Sequence, residues 1–156
     1  MNETEKRDAL FRVAEERERK CMDMLVASHP DLSNLIHSPL ETFAWNDGWL
    51  LSGTTTITSE TKIRNKYIED PIYLNTSKHF ALLNMASLDG SLPLLFDFCV
   101  KSRQMLVVDL SRTGVTHSSR TNWHQIKERH ITSNVTYYPT TSILDIYPLK
   151  YWKLSS

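Results

Sequence analysis

The 156-residue sequence predicts an α+β fold, in which a long N-terminal helix packs on a strongly bent antiparallel sheet of about six strands, cone-like or half-barrel-like. Three observations predict it. Residues 3–28 contain no Gly or Pro, and Pro30 follows as a stop. Asn-Asp-Gly and Asp-Gly steps, at 46–48 and 89–90, punctuate β-prone runs. The runs 91–100 and 105–110 are apolar at successive positions, so the sheet is covered on both sides or curled around an interior. With 40% hydrophobic, 10% aromatic and 23% charged residues, the chain suits one domain, 1–156, with its helix in 1–30 and mainly sheet, plus one or two short helices, in 41–156.

The helix starts on a capping box, Asn2 with Glu5 three residues later. Its apolar groups, 9–14 and 21–26, are separated by six charged residues, 15–20, in which Glu15 and Glu16 stand four positions ahead of Arg19 and Lys20. Such a waist is a solvated face, or else part of a protruding or dimer-forming helix. Leu32 to His37 suits a short helical turn capped by Ser33. Thr42 to Trp45 and Trp49 to Leu51 flank the 46–48 turn as a hairpin that sets Trp45 opposite Trp49.

Thr54 to Thr58 is β-prone but polar and suits a loop or an exposed edge. Residues 59–68, with Ile63, Tyr67 and Ile68 at helical spacing ahead of Asp70-Pro71, read as a short helix. A second hairpin joins 80–88 to 91–100 through Asp89-Gly90, with Pro93 at an edge or bulge. Met105 to Leu110 is a strand, 114–121 a polar connection and 122–129 a short helix. Strands at 131–138 and 142–147 follow, then a terminal strand or aromatic tail at 150–154.

Eighteen basic residues balance eighteen acidic ones, which gives no global attraction to nucleic acid or anionic lipid. The balance is uneven along the chain: residues 1–100 carry a net −5 and residues 101–156 a net +5. No apolar run is long enough to span a membrane, and the first residues lack the apolar core of a secretory signal. Cys21 and Cys99 read as buried free thiols, and the expected location is intracellular, cytoplasmic or nuclear.

The six His and two Cys show no metal-ligand spacing, and nucleophile-elbow, phosphate-loop and dinucleotide-binding motifs are missing, so the expectation is no metal and no cofactor. Two carboxylates, Asp97 and Asp109, stand inside apolar strands, where desolvation would make either a general base. Arg120, Trp123, Lys127, Arg129 and Tyr138 bring cations and ring faces together within 19 positions. The order of elements is similar to that of the cone in the nuclear transport factor 2-like superfamily. That resemblance is carried by no residue motif, and it implies an apolar pocket behind the sheet.

The function expected from these features is a non-catalytic intracellular module that binds another protein, or a second copy of itself, through Arg120, Trp123, Lys127, Arg129 and Tyr138. The alternatives are a small enzyme or ligand carrier with Asp97 or Asp109 on the wall of an apolar pocket, and an RNA- or single-stranded-DNA-binding domain.

Overall fold

Capping and one-sided burial shape the first element. In the computed structural model, which describes residues 2–39, 44–125 and 127–149, helix α1 spans Glu3–Ser28. The Asn2 side chain caps it, accepting the Glu5 N–H at 2.8 Å and donating to the Glu5 carboxylate at 3.1 Å. Cys21, Met22 and Leu25 are its buried residues, whereas every residue from Asn2 to Ala14 is exposed. The C-terminal half therefore anchors α1 and the N-terminal half projects.

The strands are β1 (Leu32–His37), β2 (Gly48–Ser52), β3 (Thr55–Arg64), β4 (Ile72–Asn75), β5 (Leu92–Cys99), β6 (Gln104–Asp109), β7 (Thr116–His124), β8 (Arg129–Tyr138) and β9 (Ile143–Pro148), with helix α2 (Thr76–Asp89) between β4 and β5. Six form one sheet in the order β1-β2-β3-β5-β6-β9, and the others form a second in the order β4-β8-β7. One apolar cluster joins α1 to Leu50, Ile57, Phe96 and Phe98. A second, on the opposite face, joins Leu74, Leu82 and Tyr138 to Leu95, Leu106 and Val108. The fold is thus α+β with an N-terminal helix on a sheet covered on both faces.

The large sheet has the expected six strands and is open; four of its five pairings are antiparallel and one is parallel, which the sequence did not predict. β3 and β5 run parallel, from Ile57 beside Leu92 to Arg64 beside Cys99. A parallel pair needs a crossover, and α2 supplies it. Its buried residues, His79, Leu82 and Ala86, follow helical spacing, so 80–88 is no strand. Asp89-Gly90 ends the helix: Gly90 takes the left-handed backbone, φ 72°, and its N–H bonds the Ala86 carbonyl.

Other elements also differ from their expected form. Residues 32–37 are a strand, not a helical turn, and 54–68 contain one long buried strand, β3, in place of an exposed edge and a helix. β2 pairs with β1, so Trp49 lies beside Ile36 and not Trp45. The Thr42-Phe43 arm of the expected 46–48 hairpin and the 150–154 tail lie outside the described residues. Residues 122–129 belong to a ribbon of β7 and β8 joined by a turn. The expected strands at 91–100, 105–110, 131–138 and 142–147 correspond to β5, β6, β8 and β9. Cys21 and Cys99 are buried free thiols, and burial pushes them up to about 11 and about 12.

Gly48 starts β2 where a Cβ would overlap the Ile36 backbone carbonyl of β1. Gly48→Ala should cost about 2 kcal/mol, a melting-temperature drop of about 4 to 8 °C for a chain of this size, measurable by circular dichroism. An unchanged melt would show that the β1–β2 contact yields freely.

Candidate active site

β2 and β3 pair from Ser52–Thr55 to Gly48–Ser59, and β3 then runs on to Arg64 without β2 beside it. Backbone groups left open on that edge need partners. Asp47 provides them: its N–H donates to the Ser59 carbonyl at 2.9 Å, and its Oδ2 accepts the Thr61 N–H at 2.7 Å. Buried Asn46 braces the turn, donating to the Gly48 carbonyl at 2.9 Å and accepting the Ser38 hydroxyl at 2.9 Å. Ser38 in turn donates its N–H to the Asp47 carbonyl at 2.9 Å and accepts the Arg19 guanidinium of α1 at its own carbonyl.

Alternation along β3 sets Glu60 and Lys62 on one face of the strand. Glu60 is fully buried and has its Oε2 3.1 Å from Lys78 Nζ of α2. That ion pair is not aligned as a hydrogen bond, and Oε2 accepts none. Lys78 is held by the Trp45 carbonyl at 2.8 Å. From α1, Glu15, Glu18 and Arg19 line a groove whose other wall includes Asp47, Ser59 and Thr61.

The electrostatics follow from this crowding. Burial above all, then the charges of Asp47 and Glu15, push Glu18 up to about 8, against the opposing pull of Lys62 and Lys78. Burial, then the charge and hydrogen bond of Asp47, hold Glu60 well above the usual carboxylate range, again against Lys62 and Lys78.

Among the described residues no three carboxylate, imidazole or thiol groups close around one point as metal ligands do. The residues nevertheless fit a hard divalent cation. They are all-oxygen donors, and Glu60 Oε2 is buried and accepts no hydrogen bond. A cation would replace the misaligned Lys78 ammonium.

None of the residues singled out from sequence lines this groove. Asp97 is fully buried and paired, its Oδ2 2.7 Å from Lys66 Nζ and 3.8 Å from Arg64. Asp109 ends β6, accepting the Ser111 N–H at 3.0 Å, the Ser111 hydroxyl at 2.6 Å and Arg112 Nε at 3.2 Å. An apolar cleft lined by Ile57, Leu94 and Phe96 among others includes neither Asp97 nor Asp109 in its wall. Trp123 and Arg129 lie at the outer end of the β7–β8 ribbon, with Lys127 in its turn, and Arg120 lies nearer its base. Tyr138 is not on the surface: it is buried at the foot of the ribbon, hydrogen-bonded to His79 Nδ1 at 2.6 Å. Glu18, Asp47, Glu60 and Lys62 were missed, although Glu60-Thr61-Lys62 shows the spacing that shares a strand face.

No family model and no curated protein matches the chain. Its fold is similar to that of Hjc, a Holliday junction resolvase from the archaeal hyperthermophile Archaeoglobus fulgidus. The TM-score is 0.51 at 14% identity, over 78% of this chain and 81% of that one. This finding overturns the expected non-catalytic module and its protein partner. The chain shares that fold, and Glu15, Glu18 and Asp47 line the groove between α1 and β3, away from the C-terminal third. No described helix is long and apolar enough to cross a membrane.

Two measurements probe these carboxylates. Asp97→Ala leaves Lys66 and Arg64 buried without their anion and should cost about 3 kcal/mol in urea unfolding; a loss under about 1 kcal/mol would mean that water reaches the pair. Glu18, whose folded value lies above its unfolded one, stabilises fully below about pH 4.5, and that contribution is lost as pH rises toward about 8. With chelator present, Glu18→Gln should match the parent near pH 4.5 and exceed it by about 1 to 3 kcal/mol at pH 8.5, allowing for partial solvent screening. Equal stability at both pH values would show that Glu18 is solvated.

Proposed function

We propose that this chain is a metal-dependent nuclease that hydrolyses phosphodiester bonds of DNA at Glu18, Asp47, Glu60 and Lys62, around the open edge of β3. The observation that carries the reading is Asp47 on the open edge of β3, where its Oδ2 takes the Thr61 N–H at 2.7 Å, next to buried Glu60, with Lys62 two residues along the strand and Glu18 on the α1 wall of the groove. The fold shared with a Holliday junction resolvase favours DNA as the substrate, and a cytoplasmic or nuclear location accords with it.

Asp47 and Glu60 would hold the cation, with Glu18 completing its shell directly or through water. A divalent cation bound there supplies Lewis-acid polarisation of the phosphoryl oxygen and a lowered pKa for water. In the hydrolysis a water oxygen forms a bond to phosphorus, the bond to one ester oxygen breaks, and that oxygen leaves with a proton. Lys62 presents an ammonium on the Glu60 face of β3, where it can orient the attacking water and offset charge on the phosphoryl oxygens. Lys78 is a positioning residue that holds Glu60 through the contact at 3.1 Å.

Purified chain incubated with Mg²⁺ or Mn²⁺ and either plasmid or four-way-junction DNA should nick or cleave the DNA, and chelator should stop the reaction. Glu60→Gln and Lys62→Ala should each lower the rate at least about 100-fold while circular dichroism stays native. Parent-like cleavage by Glu60→Gln would remove the site from the reaction.

A further inference from the structure

The β7–β8 ribbon has no packing role that accounts for its length. Its register runs through nine pairs, from Thr116 beside Tyr137 to His124 beside Arg129. Only the inner end meets the body, through β4 and through the Thr136–Thr76 and His117–His79 contacts. Beyond Val135 no described residue of either strand is buried. The exposed half of α1 projects as well, and the two arms touch where Lys6 meets Glu128 at 3.6 Å. From Glu18 to Lys6 the helix rises about 18 Å at 1.5 Å per residue, and from Val135 to Arg129 the strand runs about 20 Å. The arms thus bracket the approach to the carboxylate groove.

Charge is arranged along this approach. Arg64, on the Lys62 face of β3, lies 4.1 Å from the centre of the Tyr73 ring, and Arg120 of the ribbon lies 4.3 Å from the same centre. Two guanidiniums that close must occupy the two faces of the ring. Tyr73 thus links Arg64, the counter-ion of Asp97, to Arg120 of the ribbon, and Lys127 and Arg129 add cations at the tip. Glu128, the acid at the tip, is already engaged by Lys6, whereas among the described residues neither Lys127 nor Arg129 has a carboxylate partner. Trp123, 56% exposed, lies on the other face of the ribbon from Arg129, beside its cross-strand partner His130, which meets it edge-on at 5.4 Å.

We infer that the ribbon tip binds the substrate of the groove, with Lys127 and Arg129 on backbone phosphates and Trp123 stacked on an unpaired base. The favoured substrate is therefore a polynucleotide splayed or single-stranded next to the point of cleavage. Exposed cations suit phosphates, and an open indole face suits a base that is free to stack, which a base inside an intact duplex is not. The inference rests on the nuclease reading for its position beside a cutting site, and on the ribbon alone for its ligand.

The test measures binding of two fluorescein-labelled DNAs by the full chain carrying Glu60→Gln: a blunt duplex, and the same duplex with an unpaired tail. Trp123→Ala should weaken binding of the tailed DNA at least fivefold and of the blunt duplex less than twofold. Lys127→Ala with Arg129→Ala should weaken both and lower the slope of log affinity against log salt by about 2. These residues are exposed, so thermal melts should match the parent. Equal losses by Trp123→Ala on both DNAs, parent-like binding by the variants, or no binding of either DNA by the parent would overturn the inference. Cleavage by the chain with Glu60 intact is read separately. Loss of binding in the ribbon variants without any parental cleavage would sink the nuclease reading alone, and cleavage with parent-like variant binding would sink the ribbon alone.

Discussion

The structure turns on a mismatch in length between two neighbouring strands. β3 continues for five residues beyond Ser59, the last position paired to β2, and its far edge is already taken by β5. The open edge cannot stay unsatisfied, and it cannot accept another strand, because the chain entering β2 arrives there as a turn braced by Asn46 and Ser38. One side-chain oxygen, Asp47 Oδ2, takes the place of a strand at Thr61. That solution brings a carboxylate to a strand that already carries Glu60, and α1, tied in by Arg19, brings Glu18 across from them. A backbone accounting problem is thereby converted into a concentration of negative charge.

Sequence reading recovered elements whose burial is one-sided or whose apolar run admits one period. α1 has a cap, a stop and 26 residues to show its spacing, and β5, β6 and β8 are too apolar or too β-branched for another reading. It failed where one residue pattern serves two geometries. Asp-Gly after an apolar run is a hairpin turn when strands flank it and a helix C-cap when Gly90 alone turns left-handed. β7 pairs only with β8 and is exposed on both faces, so its Ser, Thr and His residues carry no alternation that would mark a strand. The parallel pairing of β3 with β5 was hidden as well, because it depends on α2 being a helix.

The candidate site was lost through the same misreading. With 59–68 taken as a helix, Glu60 and Lys62, two positions apart, point away from each other; on a strand they share a face. Asp47 was taken as the middle of a hairpin loop, where Asp is common for conformational reasons and carries no chemical meaning. Glu18 was hidden in a run of six charges that suits a solvated waist equally well. A signal did exist in the acid-x-Lys spacing of Glu60 and Lys62, and only a correct strand assignment could release it. Arg120, Trp123, Lys127 and Arg129 were visible as a group because neighbours on one ribbon are also near in sequence.

Two buried carboxylates on the α2-facing side of the large sheet show how the fold separates support from chemistry. Asp97 of β5 faces two cations, Lys66 at 2.7 Å and Arg64 at 3.8 Å, although its oxygens, like Glu60 Oε2, accept no aligned hydrogen bond. Breaking such a buried pair is what the core resists. Glu60 of β3 is equally buried, but it faces one close cation, Lys78 at 3.1 Å, and the charge of Asp47 works against it. That deficit destabilises the protein by itself, and it is relieved by whatever brings positive charge to the groove. What divides Asp97 from Glu60 is the number of cations set against each carboxylate, since both are equally withdrawn from water.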